Sequence, residues 1–221
     1  FERIDILIPP SEKFHDLEFL TKPEIFLFSD SINYTRHSPS KARFCAFYNR
    51  RIFVAPWALN ETLKGDISLE IYLTHELSHS LLHQHAGLIK ASRYPKWLLE
   101  GIAVYSSNQM GSSFYPSKCD TYRMIDLGNF MPPDYFKTKN ENEIKLNVEN
   151  RIPFMYSEFA CIVDYLIANY GKEKFLIYMK TLIKDNDNDE IFKEVYKVDF
   201  NNFIIDFRRF VENTENSKIM L

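Results

Sequence analysis

His75, Glu76 and His79 stand in the order His-Glu-Leu-Ser-His. On a helix, residues four apart lie about 40° apart in projection and about 6 Å apart in height. Two imidazoles so placed can converge on one metal ion at the zinc–nitrogen distance of about 2.0–2.1 Å. Glu76 then projects from the neighbouring face, near enough to reach a water on the metal without becoming a ligand. The blander reading is two ordinary histidines beside a solvated glutamate. The flanking sequence argues against it, because this helix is largely apolar and burying His, Glu and His without partners is costly.

A catalytic zinc site needs a third protein ligand and one open position, and three residues are candidates. His83 shares the face of His79, but it sits about 12 Å along the axis from His75, too far for one metal to bridge on a straight helix. His85 has the spacing of the longer motif HExxHxxGxxH, which needs a glycine where this chain has Leu82. That glycine allows the sharp turn returning the third histidine to the metal. With Leu82 in place the helix continues and carries His85 away. Glu100 lies 21 residues after His79 within Trp97-Leu98-Leu99-Glu100-Gly101-Ile102-Ala103. Its flanks are apolar, so a buried carboxylate there needs a compensating cation. The competing reading is an ordinary exposed helix glutamate. Gly101 and Ala103 are small enough for the two metal-site helices to pack closely.

HELSH followed by PKWLLEGIAVY resembles the thermolysin-like gluzincins, and more closely their peptidase MA-like relatives, which pair HExxH with a P-x-W-l-x-E-G-x-A element. The resemblance is specific over residues 66–106. It is supported over 154–213, where FMYSEFACIVDYLIANYGKEKF is similar to the family's Tyr-led helix closing on Tyr-Gly. Over residues 1–65 it reaches no further than a strand-rich lobe. It implies an α+β zincin (gluzincin) fold with a cleft between a small sheet and a helical lobe. It also implies one zinc per chain on His75, His79 and Glu100, and peptide-bond hydrolysis with Glu76 as general base. The chain departs from thermolysin at Val104, where an acidic residue one turn after the glutamate ligand would orient a histidine. The orienting partners must therefore come from elsewhere.

Besides the metal, the tetrahedral intermediate of such a reaction needs a further donor. Tyr156 is the candidate, since it begins the first helix expected after a long irregular stretch; the alternative is an aromatic core residue. The strand Ala42–Phe47 could pair with an extended peptide or protein substrate. A different class of function also remains open: a zinc-binding regulatory or partner-binding domain that hydrolyses nothing. The intact Glu76 argues against it, because a structural site has no need of a base and normally fills its fourth position with a protein ligand.

The elements that must position these residues are partly readable. EIFLFSD reads as a strand, SINYTRHSPS as a short helix or loop, and ARFCAFY with RIFVAP as a hairpin around Asn49-Arg50. Asp66, after Gly65, is the expected N-cap of one long helix stopped by Gly87. Leu69, Leu73, Leu77 and Leu81 form its apolar stripe. Pro95 is expected to open the second metal-site helix. Residues 111–155 read as an irregular insertion and 156–213 as a helical lobe whose Phe and Tyr residues are core. The tail from Glu212 is expected to fray. Residues 1–23 are interrupted by Pro9, Pro10 and Pro23 and give no clear element.

Composition fits a folded single domain of 221 residues with 45% hydrophobic residues, 19 Phe and 13 Tyr. A formal charge of −3 leaves no basic stripe for nucleic acid. No apolar run approaches the roughly 18–20 residues that span a bilayer, and no leader opens the chain at Phe1. A removed leader or anchor stays open, and so does the compartment. Cys45, Cys119 and Cys161 are widely spaced, without a CxxC pair, and are expected to be small buried residues rather than disulfide or thiolate partners.

Overall fold

A computed structural model describes residues 4–38, 40–185 and 187–219. The first residues are helical: a turn of 3-10 helix at Ile4–Leu7 leads into α1, Ile8–His15. Pro9 and Pro10 lie in its first turn, where backbone N–H groups have no helical partner, so they start the helix instead of breaking it. His15 is fully buried; its Nδ1–H donates to the Ser11 carbonyl at 2.7 Å and its Nε2 accepts from Ser78 Oγ at 2.8 Å. Burial pushes its pKa down to about 4. A neutral histidine thus fastens α1 to the back of the His-Glu-Leu-Ser-His segment and fixes that segment's rotation.

β1, Glu24–Leu27, is followed by α2, Ser31–His37, which is capped by the Asp30 carboxylate accepting from the Asn33 N–H at 2.8 Å. The expected hairpin is formed by β2, Phe44–Ala46, and β3, Arg51–Val54, paired antiparallel. β1 runs parallel to β3, giving the order β1-β3-β2. α3, Pro56–Lys64, then follows, with Pro56 at its first turn. Gly65 closes it at φ 79°, where the N–H of Asp66 reaches the Glu61 carbonyl at 2.9 Å and that of Gly65 the Thr62 carbonyl at 3.0 Å. Two expectations are corrected here. Residues 1–65 are not strand-rich, since among the described residues three α-helices and a 3-10 turn accompany three short strands. Asp66 belongs to the end of α3, and the next helix is capped by Ser68, whose side chain accepts from the Ile71 N–H.

That helix, α4, spans Leu69–Arg93 and is broken at Gly87, whose φ of 67° and ψ of 170° are not helical. Its N-terminal half packs on the sheet through Leu73 and Leu77, in a core with Ile52, Val54 and Ala58. Leu82 belongs to a second core, built from the helices that follow. His75 and His79 therefore sit on one helix shared by two hydrophobic cores.

α5, Lys96–Ser106, follows with Pro95 as its N-cap. The stretch read as irregular is more ordered than expected. It contains α6, Lys118–Asp126, and 3-10 turns at Pro133–Tyr135 and Lys139–Glu143, and its last residues already belong to α7, Arg151–Tyr170. α8, Lys172–Lys184, α9, Asn188–Tyr196, and α10, Phe200–Ile219, complete the chain. Backbone helix persists past Glu212, against the expected fraying. Phe159, Tyr178, Phe192, Phe203 and Phe207 are buried in the second core, as their spacing implies. Cys161 is buried and Cys45 partly so, but Cys119 is exposed, and all three thiols are free. Helix predominates over a small mixed sheet, which is compatible with α+β. Among the described residues no helix is long and apolar enough to cross a membrane.

Gly101 sets the distance between α5 and α7. A Cβ on it would lie 2.7 Å from the Phe159 carbonyl oxygen and 2.9 Å from its carbon. Its smallness therefore serves the contact with α7, not the contact with α4 that the sequence suggests. On α7 itself Glu158 is fully buried, with the Met131 N–H at 3.2 and 3.1 Å from its two oxygens. Burial raises its pKa well above the usual carboxylate range, and the Met131 N–H and the Arg208 charge offset this only in part. The folded state thus holds this proton more tightly than the unfolded chain does. Its stabilising effect is complete below the ordinary carboxylate range and is lost as pH rises through the raised value. Glu158→Gln, which keeps an acceptor for Met131, should flatten the fall in melting temperature with rising pH; equal slopes in variant and wild type would refute this.

Candidate metal centre

His75, Glu76 and His79 are buried on α4 and Glu100 is buried on α5. The side chains of His75, His79 and Glu100 meet head-on. His75 Nε2 and His79 Nε2 are 3.0 Å apart, and Glu100 Oε2 is 3.5 Å from the first and 3.3 Å from the second. Three ligands at tetrahedral angles and zinc bond lengths would be separated by about 3.3 Å. The trio therefore has the size of a zinc coordination shell. It is the one group of three or more His, Cys, Asp or Glu side chains among the described residues with that capacity.

The histidine tautomer fits as well. His75 Nδ1–H donates to Gln109 Oε1 at 2.8 Å, which leaves the Nε2 lone pair facing the other two ligands. Gln109 comes from the turn after α5, where its own N–H donates to the Val104 carbonyl at 3.1 Å. It supplies the orientation that Val104 cannot. No fixed spacing from Glu100 would have singled it out, since its approach depends on how the chain leaves the helix. His79 Nδ1 is buried and has no protein partner among the described residues.

The electrostatics favour a cation at this point. Burial works against the Glu100 carboxylate, yet His79, His75 and Lys137 together hold its pKa well below the usual range. Burial likewise opposes a charge on His75, but Glu100, Glu76 and Gln109 outweigh it and raise its pKa. A metal ion would supply the positive charge that protons and Lys137 otherwise provide. Lys137 Nζ stands 2.8 Å from Glu100 Oε1, the oxygen turned away from the histidines. Sequence reasoning missed this lysine, which lies in the stretch read as irregular.

Glu76 stands outside the ligand trio. Its Oε2 accepts from the Ala46 N–H on β2 at 2.6 Å, and among the described residues no hydrogen bond occupies its Oε1. The other candidate histidines are placed elsewhere. His83 is buried against the ring of His79, with centroids 6.1 Å apart, and against Tyr48 at 4.5 Å. Burial, with His79 and Lys96, brings its pKa down to about 3, so it stays neutral. It lies beside the site without joining the ligand trio, as its distance along the helix from His75 requires. His85 Nε2–H donates to the Glu18 carbonyl at 2.8 Å, on a different side of α4, because the helix continues through Leu82.

Tyr156 does face the site, though it does not begin its helix: α7 starts at Arg151, five residues earlier. Its ring stacks on His75 with centroids 6.3 Å and planes 15° apart. Burial and the adjacent Glu100 carboxylate raise its pKa well above normal, so its hydroxyl keeps its proton. Tyr115, a second tyrosine on the cleft wall, is raised by burial in the same way and was not anticipated from sequence.

His75, Glu76, His79, His83, Glu100, Gln109, Tyr115, Lys137 and Tyr156 line one open cleft of about 590 Å³ between the sheet and the helices. β2 forms its upper wall. The pairs Phe47–Arg51 and Arg43–Ala55 bond across to β3, so Phe44 and Ala46 turn their backbone groups to the opposite, cleft-side edge. Comparison with protein-family models, with curated proteins and with solved structures finds no match to this chain.

Proposed function

We propose that this chain is a zinc-dependent metallopeptidase of gluzincin type that hydrolyses peptide bonds. The observation that carries the proposal is the meeting of His75 Nε2, His79 Nε2 and Glu100 Oε2 at 3.0–3.5 Å in an open cleft, with Glu76 beside them and not among them. Bound zinc would supply Lewis acidity, which polarises a carbonyl and acidifies a water.

The remaining work falls to side chains of this chain. Glu76 Oε1 takes the proton of the attacking water and passes it to the leaving amine. The Ala46 N–H keeps the other oxygen fixed, so the carboxylate stays aimed without an additional partner. Tyr156 holds a hydroxyl proton at the cleft and donates it toward the developing oxyanion. Gln109 holds the His75 ring in the tautomer that leaves Nε2 free. An extended peptide can lie along the open edge of β2, where the backbone groups of Phe44 and the carbonyl of Ala46 face the cleft, the Ala46 N–H being taken by Glu76.

The rival reading is a zinc-binding domain without activity, and the Glu76–Ala46 hydrogen bond is equally compatible with it. The purified protein should carry about one zinc per chain. It should also cleave members of a mixed peptide library, and a chelator should stop cleavage until zinc is restored. Absence of bound metal after zinc is supplied would end the metallopeptidase reading. Full zinc occupancy with no cleavage of any peptide would favour the rival.

A further inference from the structure

The cleft lining carries three cations, Arg43, Lys96 and Lys137, and two anions, Glu76 and Glu100. Both anions are committed to the metal site. Arg43 is also committed, since Glu61 engages its guanidinium through two nitrogens. Among the described residues Lys96 is left without a carboxylate, and Lys137 has only Glu100, which a bound metal would share. Lys96 makes no ion pair among the described residues, and its Nζ has only the Ala91 carbonyl, at 3.3 Å. Lys137 touches no carboxylate but Glu100 through its side chain. Its Nζ lies over the faces of Phe136 at 5.1 Å and Tyr156 at 6.0 Å, which guide the ammonium toward the metal site. The backbone of Lys137 is left-handed at φ 57°, and its N–H donates to Glu141 Oε2 at 2.7 Å, so the stem is anchored as well.

Burial and then the nearby Lys137 charge lower the pKa of Lys96, and the two side chains line the same cleft and the same second groove. Two like charges in one partly buried wall are unfavourable unless an anion joins them. With Arg43 balanced by Glu61, the two lysines face the two glutamates, and a metal ion held by Glu100 would tip this balance to a positive excess. The chain as a whole has a net charge of −3, so this excess does not follow from general surface composition. Clefts lined by one sign of charge concentrate ligands of the other sign.

We propose that the cleft selects a peptide bearing a carboxylate, which seats between Lys96 and Lys137 beside the metal centre. This inference rests on the metallopeptidase reading. The carboxylate can belong to an Asp or Glu side chain or to a free C-terminus. Lys96 and Lys137 also border a second groove lined by Pro95 and Trp97, so a chain passing the lysines has somewhere to continue; Asp134, Asp187 and Asp189 on that groove confine the favourable seat for a carboxylate to the side facing the metal centre.

The test uses the full chain as the zinc-loaded Glu76→Gln variant, which should bind peptides without consuming them. The probes are octapeptides of one neutral sequence, with Glu or Gln placed singly at each position and the C-terminus free or amidated. Binding is measured by calorimetry. A carboxylate at one position, or at the free terminus, should tighten binding by about tenfold over its amide counterpart. The position of the gain tells side chain from terminus. The gain should vanish in Lys96→Gln and in Lys137→Gln, each checked for zinc content; should Lys137→Gln lose zinc, Lys96→Gln carries the test. A gain below threefold everywhere, or one that survives both lysine substitutions, overturns the inference. If wild type cleaves these peptides without regard to charge, the inference falls and the metallopeptidase reading stands. If no peptide is bound or cleaved, both fall.

Discussion

Glu76→Gln should leave zinc in place and lower peptide hydrolysis by about 10²–10⁴-fold, the usual contribution of a positioned proton-transfer group. Glu76 contributes no atom to the ligand trio, so occupancy has no reason to change. The amide oxygen of Gln can still accept from the Ala46 N–H, which Glu76 engages at 2.6 Å, so the local structure is kept. What disappears is the ability to take a proton. A variant with the same zinc content and circular dichroism as wild type but unchanged kcat would remove Glu76 from the mechanism. Tyr156→Phe is the natural companion, since Phe preserves the ring stacked on His75 and deletes only the hydroxyl. Its kcat should fall by about 10²–10³-fold with zinc retained. An unchanged value would return Tyr156 to a packing role.

The parts of the site visible in the sequence were those set by local geometry. His75 and His79 share a helical face because they are four apart, and Glu76 must then lie beside them. Glu100 was visible because an apolar helix cannot hold a bare carboxylate without a cation. The misses share a different cause. Gln109 and Lys137 reach the site through the path of a turn and of an irregular stretch, which no periodicity encodes. Pro9 and Pro10 look like interruptions in sequence, although the same residues are well suited to a first helical turn. Pro56 followed nine residues later by Gly65 carried the start and stop of α3, but the preceding strand obscured it. Gly101 is legible as a close-packing residue but its neighbour is α7 and not α4, because a helix face can be read from sequence while its partner cannot. The sheet order β1-β3-β2 was equally out of reach, since the parallel β1–β3 pairing joins residues far apart in the chain.

Glu100→Ala should weaken zinc binding by more than about 100-fold, beyond what loss of a supporting partner alone causes, whereas His85→Ala should leave it nearly unchanged. Both residues follow the two histidines at distances that a third ligand could occupy, so sequence alone leaves them as competitors. In the structure Glu100 Oε2 is 3.5 and 3.3 Å from the two Nε2 atoms, and His85 is engaged with the Glu18 carbonyl at 2.8 Å. Alanine at position 100 removes more than an oxygen. It also frees the Lys137 ammonium, which Glu100 Oε1 engages at 2.8 Å, to repel an incoming metal ion. Glu100→Gln separates these effects, because it keeps the shape and a weak oxygen ligand but removes the charge; its affinity should fall between wild type and Glu100→Ala. Lys137→Gln added to Glu100→Ala should recover part of the lost affinity if repulsion contributes. Competition titration against a zinc chelator, after circular dichroism shows that each protein is folded, gives the answer. Loss of zinc in His85→Ala with retention in Glu100→Ala would mean that α4 bends back on itself in the metal-bound state. The cleft would then have to be redrawn, because its floor is placed by α5 bringing Glu100 against α4, with Gly101 letting α7 close in behind it.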